Sequence, residues 1–333
     1  MDDHAFSASR RTVLAGLTAT AAAGILPSHP AIAQAGWPNR QLTFLNPFPA
    51  GGGTDAFARP LAAILDQQLG ARVIIDNRGG AGGTVGASAA AKMTADGYTF
   101  FVGAAHHTIA PSIYPSLDYD LEKDFIPIGI IARPPQVLVV NAAKVKANTL
   151  AEFIAEAKAS PGKFNYGSSG NGTVHHLSGE LFQLLSGTKM THVPYRGAGP
   201  AMQDLVGGQI DLMFDGLGSS ANQINGGTVK ALAVASSSRA SAIPNVPTAA
   251  EGGLANFEIS TWYALWAIKG TPQPIIDRMT AELVKALDTP AVKEAWQKNG
   301  SEVVKLTGKD FGTYVTSEIA RWKKVVTEAK VKL

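Results

Sequence analysis

The chain of 333 residues contains no cysteine. This excludes disulfide scaffolding, thiolate metal sites, cysteine nucleophiles and a lipid-modified N-terminal cysteine. Charge is sparse as well: 17% of residues are charged, the formal net charge is +3, and the basic residues are dispersed. Without a Lys/Arg run interleaved with aromatics, the sequence argues against nucleic acid as a partner. No apolar run reaches the ~20 residues that a membrane helix needs. There is no G-x-x-x-x-G-K-[ST] phosphate loop, no G-x-S-x-G nucleophile elbow, and no H-x-x-x-H or carboxylate-rich cluster for a metal. What is abundant is apolar content, 45%, and glycine, 35 residues. A chain of this size and composition buries a full core and is expected to divide into two lobes.

The first 35 residues read as an export signal. "SASRRTVLAGLTATAAAGILPSHPAIAQAG" places Arg10-Arg11 before an apolar run from Val13 to Ile25, followed by two overlapping A-x-A sites, Ala31-Ile32-Ala33 and Ala33-Gln34-Ala35. The paired arginines are similar to those of twin-arginine signals. Val13 stands where phenylalanine is more usual, and a general secretory signal fits the same residues. Either route delivers the mature chain to the periplasm after cleavage near Ala33 or Ala35.

Beyond the signal, β-branched and aromatic runs alternate with helical patterns: "QLTFL", "RVIIDN", "YTFFVG", "IPIGIIA", "VLVVN", "KFNYG", "MTHVPY", "IDLMFD" and "VKALAVAS". Such alternation implies an α/β protein with mostly parallel sheets covered by helices. Thr149 and Glu152 form a capping box at the start of one helix, and apolar stripes mark two closing helices, Ile276-Met279-Leu283-Leu287 and Phe311-Val315-Ile319-Trp322-Val326.

Four times a strand runs into a glycine-rich loop and then a helix: "PFPAGGGTDAFA", "NRGGAGGTVGASAAA", "NYGSSGNGTVHHLSGELF" and "PYRGAGPAMQDLV". A helix N-terminus exposes unpaired N–H groups and about half a positive charge, and glycine lets a ligand approach the backbone. Four such ends facing one cleft would hold an anion. Tight strand-to-helix turns also use glycine for purely local reasons.

A dinucleotide reading competes for the first loop. Gly51, Gly53 and Ala56 satisfy G-x-G-x-x-A, and Asp76 ends the next strand where a ribose-binding acid would lie. Against it stand Pro47 and Pro49, which lengthen the turn, and Asp55, whose carboxylate takes up the pyrophosphate position. The doublets His106-His107 and His175-His176 suggest a metal at first sight. Neighbouring histidines on one helical turn point apart, however, and polar positions in loops or at helix ends suit them better. His106 and His107 are also placed to hydrogen-bond a bound anion.

These motifs, in this order, resemble the periplasmic solute-binding receptors of tripartite tricarboxylate transporters, the Bug or TctC-type family. The resemblance runs from about Trp37 to the C-terminus and rests on "PFPAGGGTDAFAR", "NRGGAGGTVGASAAAKMTADGYT", "GSSGNGTVHHLSGELF", "THVPYRGAGPAMQDLVGGQIDLMFD" and "VPTAAEGG". It implies a two-lobed, type II periplasmic-binding-protein-like α/β fold with mixed, mostly parallel sheets. Lobe 1 would comprise residues 36–134 and 258–333, and lobe 2 residues 135–257. Chain crossings fall near Arg133-Pro134-Pro135 and Phe257–Trp262, and the ligand lies between the lobes.

Carried over position by position, the resemblance assigns Phe48, Gly52, Gly53, Thr54, Asp55 and Gly83 to the cleft from lobe 1, with His106 or His107 where the family commonly has a small hydroxyl residue. From lobe 2 it assigns Ser168, Ser169, Asn171, Thr173, Arg196, Gly197 and Asp215. Arg196 is read either as a partner of the ligand or as a bridge to a neighbouring carboxylate. Asp55 and Asp215 are each read as repelling a second carboxylate, capping their own helix or turn, or receiving an ammonium or hydroxyl of the ligand, with a plain helix cap favoured for Asp55. The implied function is capture of a small carboxylate by a monomeric, non-enzymatic, cofactor-free and metal-free receptor that delivers it to a membrane permease. An exported NAD(P)-dependent oxidoreductase and a receptor serving a sensor kinase are the alternatives.

Overall fold

The computed structural model describes residues 36–328; the proposed export signal lies outside them. Ten strands form two five-stranded sheets. The first has the order β2-β1-β3-β10-β4, built from β1 (Leu42–Asn46), β2 (Val73–Asn77), β3 (Thr99–Ala104), β4 (Phe125–Ala132) and β10 (Tyr263–Ile268). The second has the order β7-β6-β8-β5-β9, from β5 (Gln136–Val140), β6 (Asn165–Ser168), β7 (Thr191–Pro194), β8 (Leu212–Gly216) and β9 (Lys230–Val234).

The two orders are the same plan used twice. In each sheet three parallel strands are followed by one antiparallel strand and then an edge strand, and the antiparallel strand is the one that has just crossed, or is about to cross, between sheets. β5 pairs antiparallel with β8 and β9, and β10 pairs antiparallel with β3 and β4. Each sheet is therefore mixed and mostly parallel as expected, four strands running one way and one against them. The reversed strand of the first sheet, β10, is a continuous apolar run, "YALWAI", with all six residues buried, and it lies far along the chain from the strands that it joins.

The chain passes between the sheets twice, and the crossings hydrogen-bond to each other. Pro135 forms an antiparallel bridge with Ser260, Gln136 N–H donates to Ile259 O (3.0 Å), and Thr261 N–H donates to Pro134 O (3.1 Å). Pro134 and Pro135 fix φ in one crossing, and Arg133 stacks its guanidinium over Tyr314, 4.9 Å from the ring centroid.

Helices cover the sheets for legible reasons. α1 (Gly53–Leu69) buries Phe57, Ala58, Leu61 and Leu65 and ends at Gly70 in the left-handed conformation that glycine adopts without strain. α4 (Leu150–Ala159) begins with the capping box of Thr149 and Glu152. α5 (Val174–Ser186), α6 (Ala198–Val206) and α7 (Leu217–Asn225) follow β6, β7 and β8. α2 (Thr84–Ala91) and α3 (His106–Ile113) follow β2 and β3. The C-terminal α8 (Gln273–Asp288), α9 (Pro290–Lys298) and α10 (Gly308–Glu328) complete the set, with Met279, Leu283, Leu287, Phe311, Val315 and Trp322 all buried as their periodicity requires. Among the described residues, no helix is long and apolar enough to cross a membrane.

Candidate functional site: a cleft between glycine loops

The four glycine-rich loops stand at the C-terminal ends of β1, β2, β6 and β7, and they meet in opposing pairs. The β1–α1 loop lies on the β7–α6 loop: a Cβ built on Gly197 would sit 2.6 Å from Pro49 Cδ, and one on Gly199 would sit 2.6 Å from Ala50 O. The β2–α2 loop lies on the β6–α5 loop: a Cβ on Gly82 would sit 2.7 Å from Asn171 O, and one on Gly170 would sit 3.0 Å from Gly82 N. No side chain larger than hydrogen fits at these contacts, so glycine here permits backbone from one sheet to touch backbone from the other. Tyr114, just past α3, places its hydroxyl within reach of Ala81 O (2.9 Å) and Asn171 O (3.1 Å), linking the same pair of loops.

The loops enclose a small cavity lined by Phe48, Gly52, Gly53, Thr54, His106, Ser169, His175, Ala198 and Tyr263. Its free volume of about 10 Å³ is room for about one water molecule. Larger hollows of about 670 and 820 Å³ lie beside the β2 edge and between β4 and α8, away from these loops. The small cavity carries the chemistry, because helix N-termini and the orphaned polar atoms of Ser169 and His175 converge there.

Six residues expected from the sequence line this cavity: Phe48, Gly52, Gly53, Thr54, His106 and Ser169. Ser169 is 2% exposed, and its hydroxyl has no protein partner. The Ser168 and Thr173 hydroxyls are already committed. Ser168 Oγ lies 2.6 Å from His192 Nε2 and accepts from Gly170 N–H (3.1 Å). Thr173 caps α5, accepting from His176 N–H (3.4 Å) and donating to Gly170 O (2.7 Å). These two residues shape the loop that presents Ser169.

Other expected residues sit one step back. Asp55 accepts from Gly51 N–H (3.1 Å), from Arg59 (2.7 Å) and from Asn77 (3.3 Å), so its carboxylate ties down the first loop. Gly83, with φ +95, makes room for Phe48 and His107: a Cβ there would lie 2.7 Å from Phe48 Cζ. His107 is completely buried behind that wall, with Nδ1 at the Ala104 backbone (3.0 Å) and its ring edge-on to Phe101. Asn171 offers its backbone carbonyl to Tyr114, and Gly197 is the residue preceding α6. Arg196 is exposed beside the loops and makes no ion pair among the described residues.

His106 stands at the start of α3 and reaches across the cleft. Its Nδ1 accepts the Val174 N–H at the start of α5 (3.1 Å), and its ring meets Phe48 and His175 edge-on, with centroids 5.3 and 5.5 Å away. Accepting that bond requires a neutral ring. Burial, reinforced by the neighbouring His175 and His107, holds its pKa well below the ordinary histidine value.

The sequence reading missed His175, Ala198 and Tyr263. His175 and His176 do point apart: His175 turns into the cavity, whereas His176 stacks on His192 with centroids 4.0 Å apart. Burial lowers the His175 pKa to about 4. Asp215, at the end of β8, lies behind His175, with Oδ1 3.7 Å from Nε2, too far for a hydrogen bond. Burial pushes Asp215 up to about 7, against the hydrogen bond that Ser219 donates to it. Among the described residues, no group of three or more His, Asp or Glu side chains is placed to hold a metal.

Two sheets of one plan, joined by paired crossing strands and meeting at glycine loops around a polar cavity, define a two-lobed solute-binding protein of the periplasmic-binding-protein class. Solved structures agree. The periplasmic binding protein BugD superposes with a TM-score of 0.85 at 34% identity, covering 89% of this chain and 99% of that one. Rpa4515 of R. palustris, solved with adipate, gives 0.85 at 35% identity over 89% and 99% of the two chains. MatC of Rhodopseudomonas palustris, solved with bound malate, gives 0.81 at 35% identity over 87% and 100%. Protein BugT of Bordetella pertussis is 38% identical over 299 residues, 89% of this chain and 91% of that protein. The family model described as tripartite tricarboxylate transporter family receptor matches residues 57–331, and the chain belongs to that family.

Proposed function

We propose that this receptor captures a small carboxylate between lobes 36–134 with 258–333 and 135–257, and delivers it to the permease of a tripartite tricarboxylate-type transporter. The observation that carries the reading is the convergence of the α1 and α5 N-termini, with the orphaned Ser169 hydroxyl, on one cavity. Helix N-termini and a neutral hydroxyl hold a carboxylate by charge-assisted hydrogen bonds without a cation. Adipate and malate in the related structures are acids of this kind. The cavity has room for about one water molecule, so entry of any such acid requires the lobes to part. The paired crossings at 134–136 and 259–261 are the hinge about which they do so.

Binding involves no bond-making. In the turn that satisfies the dinucleotide spacing Asp55 accepts from the Gly51 N–H, and a carboxylate at that helix start speaks against a pyrophosphate there. The protein functions in the periplasm after removal of a signal that ends near Ala33 or Ala35.

A thermal-shift panel of mono-, di- and tricarboxylates, aromatic acids and acidic amino acids tests this function. A true ligand at 100 times its dissociation constant stabilises the protein by about 2.7 kcal/mol. Failure of every acid to raise the melting temperature contradicts the reading.

A further inference from the structure

Behind the cavity wall lies a second set of buried polar atoms that the carboxylate cradle does not use. Asp215 is completely buried. Its Oδ2 accepts from Ser219 Oγ (2.7 Å), while its Oδ1 has no donor. His175, 2% exposed and lining the cavity, has a partner for neither ring nitrogen, and its Nε2 lies 3.7 Å from Asp215 Oδ1. Gln136, on the crossing strand opposite Gly216, is completely buried with both amide atoms unpartnered. It belongs to the same corner: a Cβ built on Gly216 would lie 3.6 Å from Gln136 Nε2 and 3.1 Å from the hydroxyl of Tyr263, another cavity residue.

Unpartnered buried polar atoms are costly, and this corner, which also holds the unpartnered Ser220 and Thr261 hydroxyls, has hydrogen-bonding capacity for a further partner. The charge in this corner sets the sign of that partner. No lysine or arginine pairs with Asp215 among the described residues. A second carboxylate placed here would face a like charge in a desolvated setting. A hydroxyl or ammonium would instead donate to Asp215 Oδ1 or to His175.

We infer that this corner is a donor-reading subsite, so that the preferred ligand is a carboxylic acid bearing a hydroxyl or amino substituent rather than the unsubstituted acid. This rests on the carboxylate-receptor reading and narrows it. A site built to hydrogen-bond a substituent rejects the analogue that lacks it more strongly than a merely apolar pocket rejects a missing methylene.

Isothermal titration of the mature protein at pH 8 with two matched trios tests the inference: succinate, malate and aspartate; phenylacetate, mandelate and phenylglycine. In whichever trio binds, the hydroxy or amino member is expected to bind at least about tenfold tighter than the unsubstituted acid. Asp215→Asn keeps an acceptor but removes the charge, so a preference for the amino acid falls by at least about tenfold while a hydroxy preference persists; Asp215→Leu abolishes both. Equal or tighter binding of the unsubstituted acid, or a preference that survives in Asp215→Leu, overturns the subsite and leaves the receptor function intact. Binding of no member while another acid of the thermal-shift panel binds overturns the subsite alone, and no response to any acid overturns the carboxylate reading and the subsite together. Should Asp215→Leu fail to fold, the wild-type comparison within a trio decides by itself.

Discussion

Replacing Gly199 by alanine is expected to hold the lobes apart while leaving each lobe folded. Gly199 lies in the first turn of α6 in a conformation open to any residue, and its missing Cβ points only at the opposite lobe, at Ala50 O, Gly51 C and Gly52 N. A methyl at 2.6 Å from a carbonyl oxygen has to retreat by about 0.5 Å to reach a tolerable contact, and both sides are backbone, so no flexible side chain yields. Overpacking of this kind costs about 1–3 kcal/mol, which here falls on closure and so on ligand affinity, about 5- to 150-fold in Kd. Within α6, alanine is the better helix former by about 0.5–1 kcal/mol. The expected result is a free protein that melts no lower than wild type, with weakened binding by calorimetry and a smaller ligand-induced melting shift. Gly199→Ala that binds as tightly as wild type would refute the reasoning that these loops close on one another around the ligand.

Ser169→Ala and Thr173→Ala should part company. Ser169→Ala removes a hydroxyl without a protein partner, so the melting temperature holds while affinity falls by about 1.5–3 kcal/mol; Thr173→Ala removes the α5 cap and lowers stability by about 1 kcal/mol even without ligand. Acid should destabilise the fold between pH 6.5 and 4. His107 and His175 have folded pKa values depressed to about 4 and His192 to about 3, so the unfolded chain binds more protons in this window and the stability present above 6.5 is lost as pH falls. Asp215, raised to about 7, opposes the trend: its contribution is present at acid pH and is lost as pH rises through about 7. Asp215→Asn therefore steepens the acid loss, and a melting temperature constant from pH 6.5 to 4 would contradict these assignments. N-terminal sequencing of the protein from the periplasmic fraction should begin after Ala33 or Ala35; an intact N-terminus there would rule out cleavage.

Local signals in the sequence located most elements because they report local physics. The Thr149–Glu152 capping box, the glycines after β1, β2, β6 and β7, and the stripes of α8 and α10 depend on neighbours a few residues away, and the structure has each in place. β10 was out of reach because nothing in "YALWAI" says which sheet a continuous apolar run will enter, and its partners lie about 130 to 170 residues earlier. The site divides along the same line. That His175 and His176 diverge follows from helical geometry, but which of them faces the cavity is set by the packing of His176 against His192 on β7. Likewise, Ser168, Ser169 and Thr173 look equivalent as hydroxyls in a glycine loop, and only the tertiary partners of Ser168 and the capping role of Thr173 leave Ser169 free.

A crystal structure of the mature protein with the acid that gives the largest thermal shift tests the central claim most directly. It should show carboxylate oxygens within hydrogen-bonding distance of Ser169 Oγ and of backbone N–H groups at the starts of α1 and α5, with both lobes touching the ligand. Density for the acid on an outer surface, or against one lobe alone, would contradict the account.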